Sequence, residues 1–156
     1  IKILGKEAFM EIVVFTGIPA SGKSTFFKQN FYNTHIRINL DMLRTRRRED
    51  IFIEACLKAK QSFVIDNTNT TVEERKKYIE ISQKAGIPLI GYYFETSFQD
   101  AVSRNEGRTG KERIPVPAIA AAKKRLVVPS YEEGFDLLYH VEVQDNGVFK
   151  VEKVPK

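Results

Sequence analysis

The sequence predicts an α/β fold, a mostly parallel central sheet with helices on both faces. Three observations predict it. Short apolar runs alternate with helical stretches along the chain. The first run, Ile12-Val13-Val14-Phe15-Thr16, is unbroken, as in a strand covered on both sides. A glycine-rich turn then joins that run to a helical stretch from Ser24 to Asn30.

The later elements follow in the same alternation. Ile36 to Asn39 reads as a second strand, followed by a helix from about Asp50 to Lys60. Ser62 to Asp66 is a third strand. Thr70 or Thr71 then caps a helix whose first turn holds Glu73 and Glu74, where the helix dipole favours acid. That helix ends at Ala85-Gly86, and Pro88 prevents its continuation. Leu89 to Phe94 is a fourth strand, Phe98 to Asn105 a helix, and Pro117 to Leu126 another with proline in its first turn. Leu138 to Val143 alternates as a strand, and Gly147 turns it into a partner over residues 148–154.

The 156 residues suit a single compact domain. Residues 1–9 are expected to be an upstream extension or a cloning remnant, and residues 10–156 the domain itself. No apolar run approaches the roughly 18 residues of a membrane span, so no membrane partner is expected. The one cysteine, Cys56, excludes an intrachain disulfide. It is expected in the core, with no disulfide-linked partner, in a reducing cytoplasm. The net charge of +5 is compatible with a polyanionic partner without establishing one.

Gly17-Ile18-Pro19-Ala20-Ser21-Gly22-Lys23-Ser24 matches G-x-x-x-x-G-K-[S/T] in full, between a buried strand and a helix. Glycines let such a loop curl its N–H groups inward onto phosphate oxygens, and the following helix aims its positive end at the same anion. Lys23 supplies a mobile charge for the β- and γ-phosphates, and the Ser24 hydroxyl is a ligand for Mg²⁺. This is a P-loop. Gly17, Ala20, Ser21, Gly22, Lys23, Ser24 and Thr25 are the predicted ATP contacts, with ATP and Mg²⁺ as the expected cofactors.

A P-loop alone does not separate kinases from GTPases and motors. The chain lacks the N-K-x-D motif that reads guanine, and its third strand ends in Asp66-Asn67 instead of Asp-Glu. Asn39-Leu40-Asp41-Met42-Leu43-Arg44 follows the second strand directly. Residues past strand C-termini gather on the edge that carries the phosphate loop. Asp41 is therefore placed for a base at an incoming hydroxyl, or for a helix N-cap, and on spacing alone both readings stay open. Arg44, one helical turn on, is expected to face the same side and hold an anionic acceptor.

These blocks together resemble the kinase modules of polynucleotide 5′-kinases, from about Ile12 to Tyr139. The phosphate loop through Thr25, the N-x-D-x-x-R block at residues 39–44, the D-x-T-N block Asp66-Asn67-Thr68-Asn69 and the R-N-x-x-R block at Arg104 to Arg108 occur in the family's order. The resemblance implies that Asp41 takes the proton of a 5′-hydroxyl and that Arg44 binds the adjacent phosphate. It also implies that Asp66, Thr68 and Asn69 lie beside the acceptor, with Arg104 and Arg108 clamping the ATP phosphates from a small mobile lid at about residues 104–114. The implied fold is a P-loop NTPase-type three-layer sandwich, and the implied partner an RNA or DNA 5′-OH end.

A polar, glycine-bearing segment between helices suits a mobile cover, and arginine matches phosphate geometry. Residues 104 and 108 also share one face if the helix continues. Arg46, Arg47 and Arg48 either track a nucleic-acid backbone or form a solvated basic turn. His35 and His140 have no metal-ligand partners in sequence and read as structural. No D-x-D-G-[T/S] phosphatase or K-x-D-G ligase motif is present. Two other functions fit the same layout: a kinase of a small alcohol, sugar or nucleoside, and a non-catalytic, ATP-responsive nucleic-acid binder.

Overall fold

The computed structural model describes residues 3, 4 and 7–156. The extension expected over residues 1–9 lies partly outside the described residues. Within it, β1 (Ile3–Leu4) and β2 (Glu7–Ala8) pair antiparallel.

The main sheet has six strands: β3 (Ile12–Thr16), β4 (Ile36–Ile38), β5 (Phe63–Ile65), β6 (Leu89–Phe94), β7 (Leu137–Val143) and β8 (Phe149–Lys153). Their spatial order is β4-β5-β3-β6-β7-β8. All neighbouring pairs run parallel except β7 with β8, which the turn at Gly147 makes antiparallel. Ile12 stands opposite both Phe63 and Leu89, so β3 is central.

Among the described residues six α-helices connect these strands: α1 (Lys23–Asn30), α2 (Leu40–Leu43), α3 (Arg46–Ala59), α4 (Val72–Ala85), α5 (Phe98–Glu106) and α6 (Val116–Arg125). The strand period of two splits β3 between two cores. Ile12 and Val14 pack with Ile53 and Cys56 of α3 and with Tyr78 and Ile79 of α4. Val13 and Phe15 pack on the other face with Phe26 and Phe27 of α1 and with Phe31 and Phe94. The three-layer α/β sandwich is thus present, and Cys56 is a core residue whose thiol burial pushes to a higher pKa.

Boundaries follow local chemistry. The Thr71 side chain caps α4 by accepting the Glu74 N–H, and Gly86 ends that helix at φ 68°. α3 begins at Arg46, about one turn before the expected start at Asp50, because Thr45 caps it by accepting the Arg48 N–H. The arginine run therefore lies in a helical first turn and not in a basic loop. No helix among the described residues is long and apolar enough to cross a membrane.

A third apolar group, Ile18, Ala20, Ala101, Ile119 and Ala122, seats the glycine-rich loop on α5 and α6. Arg75 of α4 is wholly buried, and its guanidinium meets Glu133 at 2.8 and 2.9 Å and the carbonyls of Asn69 and Val127 at 2.9 Å.

Candidate active site

Because β3, β4 and β5 run parallel, their C-terminal ends deliver three loops to one edge of the sheet. The first is the phosphate loop. Gly17 is required by space, since a Cβ there would lie 2.8 Å from Ser21 Oγ and 2.9 Å from Phe94 Cβ. Gly22 is required by conformation, with φ 94°. The Gly17 N–H donates to the Thr68 carbonyl at 2.9 Å, tying the loop to the segment after β5.

No side chain caps α1, so its first N–H groups are available to an anion. The Lys23 ammonium turns into the loop, donating to the carbonyls of Gly17 at 2.9 Å and Ile18 at 2.8 Å and to Ser21 Oγ at 3.2 Å. Desolvation lowers its pKa from 10.5 to about 8, Asp66 opposes that fall, Arg108 adds to it and Asp41 opposes it.

Asp66, at the end of β5, is 2% exposed. Its Oδ2 lies 3.1 Å from Ser24 Oγ and 2.7 Å from Arg37 Nε, and Arg37 also donates to Ser24 Oγ at 3.1 Å. A hydroxyl and a carboxylate facing each other at the start of α1 form a hard-oxygen donor set, which fits Mg²⁺.

α2 brings in Asp41. The N-cap of that turn is Asn39, whose Oδ1 accepts the Met42 N–H at 3.0 Å. Asp41 is therefore not the cap, and its exposed side chain borders the cleft. That cleft measures about 300 Å³ and gathers Ser21 to Ser24, Arg37, Asp41, Asp66, Asn67, Thr68 and Arg108.

Other predicted residues lie elsewhere. Arg44 leaves the helix at φ 75°, because α2 stops after Leu43, so it does not share a helix face with Asp41 and does not border the cleft. Its side chain is exposed. Asn69 is buried, and its amide donates to the Phe15 carbonyl at 2.8 Å, supporting β3 from behind. Asp66, expected beside an acceptor, does line the cleft, where it touches Ser24 on the phosphate-loop side. Gly17 and Thr25 lie outside the cleft lining.

Arg104 and Arg108 are not on one helix face, since α5 ends at Glu106. Arg108 borders the cleft, whereas Arg104 donates to the Ala20 carbonyl at 3.2 Å from outside the loop. Between them Asn105 pairs twice with Ile114, its Nδ2 donating to the carbonyl at 2.6 Å and its Oδ1 accepting the N–H at 2.8 Å.

Sequence reasoning missed Arg37, Asn67 and Glu49. Arg37 could have been found, because it lies one residue from Ile38 on the strand feeding the Asp41 block. Glu49 carries no local signal: its burial comes from α4, which meets it through Lys77 and Tyr78. His35 bonds Thr34 and Glu11 at 2.7 and 3.0 Å. His140 lies 2.9 Å from Glu95, which the pairing of β6 with β7 supplies and sequence distance hides, and 3.7 Å from Glu142, two residues along its own strand.

Residues 12–129 match the family model described as AAA domain. The bifunctional polynucleotide phosphatase/kinase of Schizosaccharomyces pombe is 36% identical over 134 residues, covering 83% of this chain and 33% of its own length. A relative from Acanthamoeba polyphaga mimivirus with a name of the same kind is 32% identical, over 81% of this chain and 32% of its own. The chain thus spans about a third of the length of these curated relatives. Among solved structures, Kti12 of Chaetomium thermophilum in complex with ADP-AlF3 superposes with a TM-score of 0.61 at 15% identity, covering 87% of this chain and 92% of that one. That likeness is one of fold.

Proposed function

From the premise that this chain belongs to the AAA domain family, we propose that it transfers the γ-phosphate of ATP to the 5′-hydroxyl end of RNA or DNA. One observation carries the reading. A single cleft holds the phosphate-loop residues, with Asp41 and Arg108 at its border. The names of the two curated relatives support a polynucleotide acceptor, for the third of their length that this chain resembles. The exposed Arg44, three residues after Asp41 and outside the cleft lining, supplies charge for an acceptor phosphate beyond the cleft.

The phosphates of ATP are held by the free N–H groups at the start of α1 and by Lys23, which exchanges loop carbonyls for phosphate oxygens. Ser24 and Asp66 would hold Mg²⁺, which would supply positive charge against the β- and γ-phosphates. Arg108 meets the migrating group from the segment between α5 and α6, the proposed lid. Asp41 accepts a hydrogen bond from the acceptor hydroxyl, aims its oxygen at the γ-phosphorus and takes the proton as the new bond forms, while the bond from that phosphorus to the β–γ bridging oxygen breaks and ADP leaves. Because the transition state is loose, alignment by Asp41 outweighs early proton removal.

The test offers γ-labelled ATP and Mg²⁺ with 5′-hydroxyl oligonucleotides, nucleosides and small alcohols, with Asp41→Asn as control. Label on oligonucleotides, reduced about 10²- to 10⁴-fold by Asp41→Asn while ATP binding persists, is the expected result. Label on small molecules alone overturns the acceptor assignment. Bound ATP with no transfer to any acceptor points to an ATP-responsive binder instead.

A further inference from the structure

Asp41 stands on a helix of four residues, and one turn of helix has no stability of its own. Its position must come from elsewhere. Asn39 and Asn67 provide it. Asn39 Oδ1 accepts the Met42 N–H at 3.0 Å, while its Nδ2 donates to the Asp66 carbonyl at 2.5 Å. Asn67 Oδ1 accepts the Leu40 N–H at 2.9 Å. Asp41 therefore sits between two pinned amides, Leu40 before it and Met42 after it.

The orientation of Asn67 is itself fixed. Its Nδ2 lies 3.3 Å from Glu49 Oε2, and a carboxylate can only accept. Flipping the amide would set its NH₂ against the Leu40 N–H and its oxygen against the carboxylate. Glu49 has no exposed side-chain surface. Its Oε1 receives Lys77 Nζ at 2.8 Å, Tyr78 Oη at 3.1 Å and Arg46 at 3.1 Å. A buried carboxylate is costly unless donors surround it, and three of these donors, Lys77, Tyr78 and Arg46, come from α4 and from its own helix. Asn67 is the one that leads back to the cleft.

We propose that Asn67 and Glu49 are positioning residues that set Asp41 against the α3–α4 layer. Glu49 holds the Asn67 amide in one orientation, and Asn67 holds the first N–H of α2. Without Asn67 that turn keeps Asn39, the buried Leu43 side chain and Arg48, which donates to the Leu43 carbonyl at 3.3 Å, but its first N–H loses its partner. The inference rests on the reading of Asp41 as the group that meets the acceptor hydroxyl, and it adds what places that group.

An exchange of donor and acceptor tests it. Asn67→Asp keeps an oxygen for Leu40 but sets a second carboxylate against Glu49. Adding Glu49→Gln restores a donor facing an acceptor, with net charge conserved and Arg46, half exposed, free to turn outward. The expected result is a kcat lowered about 10- to 100-fold by Asn67→Asp and by Asn67→Ala, at the scale of a small misalignment. The dissociation constant of ATP stays within about twofold, and the double variant returns kcat to within about threefold of the parent, bounds set by treating the pair as one coupled unit.

The exchange rate of the Leu40 amide, read by NMR, is the second measurement. It rises at least about tenfold in Asn67→Ala and recovers in the double variant, as loss and return of one hydrogen bond require. Unchanged Leu40 exchange overturns the proposal. So does a kcat deficit in Asn67→Asp that Glu49→Gln fails to relieve, which would mean Asn67 meets the acceptor directly. If the parent protein labels no acceptor, the kinase reading fails, and Leu40 exchange still decides whether the clamp exists.

Discussion

Lys23 makes nucleotide binding depend on pH in a direction that can be worked out. Its pKa falls from 10.5 to about 8, chiefly because the loop strips water from the ammonium. A lysine lowered in this way binds fewer protons folded than unfolded between about pH 8 and 10.5, so it subtracts stability as pH falls through that window. Below about pH 8 the cost is complete and amounts to roughly 3 kcal/mol. A phosphate beside the ammonium reverses the shift and recovers part of that cost on binding. Binding must therefore take up a proton: about 0.1 per site at pH 7, half at pH 8 and 0.9 at pH 9. Affinity then falls about tenfold per pH unit above 8 when only the protonated form binds. Calorimetry with Mg-ADP in two buffers of different ionisation enthalpy measures the uptake directly. Working above pH 7.5 keeps the phosphates' own protons, with a pKa near 6, out of the balance. An uptake that stays flat from pH 7.5 to 9, or survives in Lys23→Met, refutes the reasoning.

Three further outcomes follow from the packing. Gly17→Ala places a methyl group 2.8 Å from Ser21 Oγ and 2.9 Å from Phe94 Cβ. It should cost about 1–3 kcal/mol by urea unfolding and weaken ADP binding; equal stability would mean the loop yields freely. Glu133→Gln leaves the Arg75 guanidinium short of its buried partner and should cost about 3–5 kcal/mol, read from the same denaturation midpoint. A change below about 1 kcal/mol would show that water or backbone replaces Glu133. Asp66→Asn should raise the Mg²⁺ concentration for half-maximal activity about 10- to 100-fold, and an unaltered Mg²⁺ titration would remove Asp66 from the metal side.

The strands were legible because burial on both faces writes itself locally. Ile12 to Thr16 and Leu89 to Phe94 are runs that no surface element would carry, and both are strands to the residue. The phosphate loop was equally legible, since phosphate binding demands glycine at fixed offsets. Helix starts were harder. Thr45 acts as a cap only because α2 ends just before it, so α3 gains a turn that the spacing of apolar residues does not announce. The helix face expected to be shared by Asp41 and Arg44 is absent for a related reason: the 3.6-residue period assumes a continuing helix, and the positive φ at Arg44 ends it. Asn69 could not be separated from its neighbours Asp66 and Thr68 by sequence at all. Its amide is spent on the Phe15 carbonyl, a partner 54 positions away.

The double bond pair between Asn105 and Ile114 closes the neck of the segment between α5 and α6, and it sorts the two arginines mechanically. Arg104 lies on the helix side of that neck and is fastened to Ala20, whereas Arg108 lies on the loop side. Any swing of residues 106–113 pivots at the neck, carrying Arg108 toward or away from the phosphate loop while Arg104 stays with the body. In the proposed lid, one guanidinium would be the moving part and the other would belong to its bearing.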